Sequence, residues 1–462
     1  MRDIASGRRS RPRVRSLVLA VVLAGVVPPL SATASGAAAL ATQGGSLVGD
    51  GFFPVTYINT GRHGGVEVWV IRHHATLPQA EAKVSCFDET TGALCDDVAG
   101  RPTTWPKPLN TAPWPLGNGD TGDLATTQLP EDVFDPSLHG VMYYPAVTTA
   151  PLPGFPGGAI GAGCLNLQAQ ANCPFTPLAP LTDIAGTSNI NGLTGFVSFG
   201  GNLYGVATTG QEICFSMTTH TACPGQPYAA STPPSNDAAG LGPADYLGTQ
   251  ALIAGKIYIT SNTGAGGTTA SHGPVLACFD PAARASCAGW APKTLPAGPH
   301  TIAADAVYAD YDTTGSPVGV CATVGANSGD APAVTCYDFV GDPLAPPASL
   351  ALLYPRGGTN SLAFNPLTIT VGGDLRSYFP FFSTAGPYPG DTLCYDWSIQ
   401  AVCAGFAYPD GHPDVNRGIT EDYGYAYDGH CLYGSGDEGY LFSIDPVTGG
   451  SPCTIAPAGQ HQ

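Results

Sequence analysis

The chain predicts an all-β fold, a seven-bladed β-propeller of four-stranded antiparallel blades. Three observations carry that expectation. A cysteine pair separated by eight residues recurs five times, as Cys86 and Cys95, Cys164 and Cys173, Cys214 and Cys223, Cys278 and Cys287, and Cys394 and Cys403. Two degenerate copies extend the series: Cys336-Tyr337-Asp338 lacks the second cysteine, and Ser443-Ile444-Asp445 lacks the first. Corresponding positions 86, 164, 214, 278, 336, 394 and 443 are spaced 78, 50, 64, 58, 58 and 49 residues apart, the length of one blade with connections of varying size. Finally, no segment keeps helical periodicity over three turns. The 61 glycines and 44 prolines, against 11% charged residues, suit short strands joined by many turns.

Each repeat reads as a hairpin. A reversal centred between Thr90 and Thr91 sets Cys86 directly opposite Cys95, and a non-hydrogen-bonded pair at roughly 4.5 Å between Cα atoms suits a disulfide. Asp88 can bond the turn backbone, and Gly92 can take a positive φ. The aromatic after the first cysteine (Phe87, Phe215, Phe279, Tyr337, Tyr395) then points to the other face of the blade, so both faces present apolar groups to neighbouring blades. Second strands are expected at 66–71, 141–144, 203–206, 256–260, 318–322, 377–382 and 430–433. Innermost strands are expected at 55–58, 195–199, 251–253, 306–308, 367–371 and 423–427. The blades divide at about 44–105, 106–182, 183–232, 233–298, 299–350, 351–413 and 414–462, one domain over 35–462.

Residues 1–34 read as a signal peptide: Arg2, Arg8, Arg9, Arg11, Arg13 and Arg15, an apolar run at 17–27 too short to span a bilayer, then small residues at 32–34. The residues after Arg8-Arg9 do not complete a twin-arginine motif. A secreted, extracellular product follows, with no membrane span. Removing residues 1–34 takes six of the 17 basic and one of the 35 acidic residues, leaving 11 against 34. So acidic a surface repels phosphate backbones and disfavours nucleic acid as a partner. All 14 cysteines follow the signal, and in an oxidising compartment an even set reads as disulfides. Zinc is disfavoured, because there is no Cys-x-x-Cys and no histidine at ligand spacing. Cys321 and Cys336 fall on neighbouring strands of blade five and can bridge them. Cys431 and Cys453 remain for the last blade.

The stretches 440–449 and 84–92, each with Asp-x-x-Thr-Gly, resemble the third-strand signature of quinoprotein-like, or YVTN-like, β-propellers. The cysteine-flanked variant is similar to that of large secreted actinobacterial proteins. That resemblance implies the fold. It does not extend to pyrroloquinoline quinone, because the chain has no Cys-Cys dipeptide and no regular tryptophan after the turn. No cofactor is expected.

Propeller sites lie over the channel, on connections from the outermost strand of one blade to the innermost of the next. The most polar such stretch holds His412, Asp414, Arg417, Glu421 and Asp422. Repeat logic sets His300 and Asp305, and Arg356 and Asn360, near the same mouth. Arginines, a histidine and carboxylates together suit binding of an acidic sugar. They equally suit proton abstraction or glycoside cleavage, where His412, Arg417, Glu421 and Asp422 would be catalytic. A polar, Pro- and Gly-bearing rim is the plainer account of the same residues. Asn118, Asp120 and Asp123 alternate oxygen donors with glycine, as a calcium loop or an ordinary turn would. Gly-x-Ser-x-Gly and His-Glu-x-x-His motifs are absent. The expectation is a monomeric module that binds an extracellular glycan or protein without catalysis. The alternative is a polysaccharide lyase or glycoside hydrolase acting at the channel mouth.

Overall fold

Seven antiparallel blades, one per repeat, stand in a ring. They are seen in a computed structural model that describes residues 52–60, 66–73, 82–89, 91–97, 99–110, 114–115, 121–122, 133–135, 140–181, 196–207, 210–229, 231, 247–261, 275–296, 301–327, 333–347, 360–363, 366–383, 392–406, 425–435, 441–450 and 453. The expected export segment, residues 1–34, lies outside that set. All elements among the described residues are strands, and none is a helix long and apolar enough to cross a membrane.

Each blade is a meander. In blade one Phe52–Thr60, Val66–His73, Ala82–Asp88 and Ala93–Leu94 pair in sequence order. Blade three follows the same course through Val197–Phe199, Asn202–Val206, Glu212–Ser216 and Thr221–Ala222. The fourth strand is broken in blades one, two and four. A short piece beside the turn is followed by a second piece (Lys107–Pro108, Thr176–Pro180, Lys293–Thr294) that pairs back onto the third strand. Prolines after the second cysteine (Pro106, Pro174, Pro292) remove ladder donors there, which fits an edge strand. Asn360–Ala363 pairs with the second strands of both blade five and blade six and joins them into one sheet. Blade seven shows three strands among the described residues, Ala426–Tyr427, Leu432–Ser435 and Leu441–Ile444.

All seven disulfides lie within blades, five of them across the third-to-fourth-strand hairpin. The backbone position differs from the expectation. Cys95 N–H donates to the Cys86 carbonyl at 2.9 Å, and the other four pairs repeat that bond. The staples therefore sit at hydrogen-bonded pairs, with Cα–Cα distances such as 5.4 Å in blade one. Cys321–Cys336 takes the other solution. It joins directly opposed residues of the second and third strands at a Cα–Cα distance of 4.0 Å. Cys431–Cys453 fastens the last blade to its own following segment.

The turn is uniform across these five hairpins. Gly92 takes φ 66°, and the matching positions Gln170, His220, Arg284 and Gln400 take φ 51°, 53°, 56° and 53°. Four non-glycine residues thus accept the left-handed region, which costs about 1–2 kcal/mol each. Three of them use the side chain to reach the preceding blade. Gln170 Nε2 donates to the Asp96 carbonyl at 2.7 Å, Arg284 Nη1 to the Pro224 carbonyl at 3.3 Å, and Gln400 Nε2 to the Tyr311 carbonyl at 2.8 Å.

The core is a set of seams between neighbouring blades, not one central mass. The residue opposite the first cysteine is Trp69, Tyr143, Tyr204, Tyr258, Tyr378 or Tyr433, and each is at most 1% exposed. In blade five that position is Cys321. Cysteine and opposed aromatic face the next blade: Trp69 and Cys86 pack with Met142, Tyr144 and Leu167 of blade two. The residue after the cysteine faces back, so Phe279 packs with Tyr204 and Cys214 of blade three while Cys278 packs with Val307 and Val320 of blade five. The ring closes where Phe52–Thr60 of blade one packs on Ala426–Tyr427 and Leu432–Ser435 of blade seven. Among the described residues no strand pairing crosses that boundary.

Candidate functional site

The meander puts the second-to-third-strand connections and those between blades at one end of the ring. The first-to-second and third-to-fourth turns lie at the other. His412, Asp414, Arg417, Glu421 and Asp422, in the connection from blade six to blade seven, lie outside the described residues, as do His300 and Arg356. Asp305 lies on the long first strand of blade five, Thr301–Tyr311, where the register shifts between Ala304 and Val307. Asn360 opens the strand shared by blades five and six and is paired with Asn327. These two positions are strand positions, not loop positions. Asn118, Asp120 and Asp123 also lie outside the described residues. They are flanked by a two-stranded ladder in which Trp114 pairs with Gly122 and Pro115 with Thr121.

At the turn end the repeated aspartate caps its own turn. Asp280 Oδ1 accepts from Ala282 N–H at 3.0 Å, Asp338 Oδ1 from Val340 N–H at 3.0 Å and Asp445 Oδ1 from Val447 N–H at 2.7 Å. Asn166 and Ser216 do the same in blades two and three. Asp280 also pairs with Lys256, and Asp396 with Arg376 at 3.3 Å. Hydrogen bonds from Lys256 and the turn amides hold the Asp280 carboxyl below its ordinary range. The Asp-x-x-Thr-Gly signature is thus turn architecture.

Three further carboxyls are set apart by burial. Glu212, fully buried at the start of blade three's third strand, accepts from Ser231 Oγ at 3.2 Å through Oε1, while Oε2 has no partner. Burial pushes it up to about 8. Asp310, 8% exposed, lies beside the Cys321–Cys336 bridge and is pushed up to about 6 by burial. Glu89, in the hairpin turn of blade one, is pushed up to about 7 by burial, then by Asp428 and Asp88. Burial also drives the Tyr258 and Tyr378 hydroxyls up to about 12.

Among the described residues, three groups gather metal-ligand types: His430 with Cys431 and Cys453, Glu67 with Cys86 and Cys95, and Asp310 with Cys321 and Cys336. Each relies on sulfurs already bonded to one another.

The turn end also carries apolar side chains that the sequence did not single out. Val340 (70% exposed), Ile399 (61%) and Val447 (52%) occupy the third-to-fourth-strand turns of blades five, six and seven in succession. In blades one to four the exposed turn residues described are Thr91, Gln168, Ala169, Thr218, Thr219, His220, Ala282, Ala283 and Arg284.

No protein-family model matches the chain, and no curated protein matches it. Among solved structures it is similar to the computationally designed Ika8 protein, with 11% identity over 87% of this chain and 100% of that one and a TM-score of 0.38. It is similar to a chain in the crystal structure of the Mitotic Checkpoint Complex, with 9% identity over 93% and 98% and a TM-score of 0.42. BamB from Moraxella catarrhalis has 13% identity over 84% of this chain and 83% of its own, with a TM-score of 0.39.

Proposed function

We propose that the chain is a secreted propeller that binds an extracellular protein or glycan without transforming it. The observation that carries this reading is the run of exposed apolar side chains on consecutive turns, Val340, Ile399 and Val447. Isolated exposed apolar residues are ordinary, but three in register at one end of adjacent blades suit contact with a protein surface. The repeated polar residues support the same reading, because they cap turns and hold blades together. Seven disulfides suit service in an oxidising compartment.

The test is to run residues 35–462 on glycan and secreted-protein arrays beside a reducing-sugar release assay. Binding without product, weakened at least tenfold by Val340→Ser, Ile399→Ser and Val447→Ser together, is expected. Sugar release that disappears in His412→Ala would replace this reading with the glycosidase or lyase alternative.

A further inference from the structure

The seams obey a rule with one exception. The third residue after each repeat's first position enters the seam with the preceding blade and meets the residue opposite that blade's first position. In blades two to seven it is Leu167, Met217, Pro281, Phe339, Trp397 and Pro446. Leu167 packs with Trp69, Met217 with Tyr143, and Trp397 with Cys321. The ring of Tyr258 lies 6.4 Å from that of Phe339. Tyr204 and Tyr378 donate their hydroxyls to the carbonyls of Pro281 and Pro446, at 3.3 and 2.5 Å. In blade one the same position is Glu89.

By this rule Glu89 addresses Tyr433 of blade seven, across the seam that closes the ring. Tyr433 is fully buried and gives its hydroxyl to Asp428 Oδ2 at 3.3 Å, not to a turn carbonyl of the next blade. Glu89 Oε1 is buried there with no hydrogen-bond partner. The closing seam therefore holds a carboxyl facing a second carboxylate in a place where six other seams hold an apolar side chain. It is also a boundary that no disulfide and no described strand pairing crosses.

We propose that Glu89 makes this seam a protonation-controlled latch, shut while its carboxyl is neutral and loosened when it ionises against Asp428. The groups that act on it are Asp88 in its own turn, Asp428 in the first turn of blade seven and Tyr433 on the strand after that turn; the same turn and its flanking strands also carry exposed His430 and Tyr427. Glu67, opposite Asp88, accepts from the Trp69 indole at 3.3 Å. The innermost strand of blade one, Phe52–Thr60, contributes no charge to the boundary. Burial, then Asp428 and Asp88, hold Glu89 protonated up to about 7, from an ordinary 4.5. The closed ring thus keeps a proton that an unfolded chain releases. Its stabilisation is complete below about pH 4.5 and is lost as pH rises through about 7.

Glu212 in blade three and Asp310 in blade five titrate with the same sign, so a global melting curve mixes the three groups. Local hydrogen exchange, corrected for the intrinsic rate, separates them. Between pH 5.5 and 8, peptides covering Phe52–Thr60 and Leu432–Ser435 should exchange several-fold faster, while Val141–Thr148 of blade two, away from Glu212 and Asp310, stays unchanged. Glu89→Gln, which keeps the shape and cannot ionise, should abolish that rise, and Asp428→Asn should reduce it. A rise that persists undiminished in Glu89→Gln, or that is equal in blade two, would overturn the latch.

Discussion

Blade four and blade five are neighbours that write one repeat in two ways. In blade four the sulfur bridge crosses the hairpin, Cys278 to Cys287, and Tyr258 stands opposite the first cysteine with its face toward blade five. In blade five the residue opposite Cys336 is Cys321, and the bridge moves inward to join the second and third strands. The two bridges use different backbone geometries. The first sits at a hydrogen-bonded pair with Cα atoms 5.4 Å apart, the second at an opposed pair only 4.0 Å apart. The neighbouring blade compensates for the lost ring. Trp397 of blade six, fully buried, packs against Cys321, with its indole donating to Ser377 Oγ at 2.8 Å. Position within a seam therefore decides residue size, and the sulfur goes wherever the ladder brings two thiols together.

The strongest way to break this comparison is to empty the compensating volume. Trp397→Ala should cost about 3–5 kcal/mol in chemical denaturation, because the indole is buried on every side. Rewriting blade five in the idiom of blade four is the sharper test. Leu344 lies directly opposite Cys336, so Cys321→Tyr with Leu344→Cys supplies a hairpin bridge and restores the aromatic. With Trp397 in place the new ring is overpacked and should cost about 1–3 kcal/mol, and adding Trp397→Leu should recover most of it. Additivity within error would show that the two positions do not share the space assigned to them.

A smaller effect separates the bridges themselves. Paired serine variants at Cys278 and Cys287, and at Cys321 and Cys336, should each cost about 2–3 kcal/mol, since loop-closure entropy differs little between separations of 9 and 15 residues. Blade five should lose the more, because both of its half-cystines are fully buried in an apolar seam. The smallest effect concerns the left-handed turn position. His220→Gly should stabilise by about 1 kcal/mol, through relief of the backbone at φ 53°. Gln170→Gly should be near neutral, since it also loses hydrogen bonds to Asp96 and Lys107. Equal gains in the two variants would mean that the side-chain tether contributes nothing.

Much of this architecture was legible in the chain. The nine-residue cysteine offset gave the hairpin register, the positive φ at Gly92 and the capping role of Asp88, because each is a local consequence of a four-residue loop. The second strands, rich in aromatic and branched residues, fall upstream of each cysteine motif at the expected positions to within a few residues. The innermost strand of blade two, Val133–Asp135, was missed, since three residues ending in aspartate carry no pattern. Which face of the ladder bore the bridge was also missed, because register alone does not separate the two kinds of opposed pair. No local pattern sets Glu89 apart within its turn. Only ring closure, which no local window contains, brings it against Asp428 and Tyr433.

The placement of sulfur tests the whole arrangement most directly. Peptide mapping of the unreduced protein should return Cys86–Cys95, Cys164–Cys173, Cys214–Cys223, Cys278–Cys287, Cys321–Cys336, Cys394–Cys403 and Cys431–Cys453, with every link inside a blade. A link between repeats, Cys336 to Cys453 above all, would contradict a ring whose blades are each closed by their own bridge.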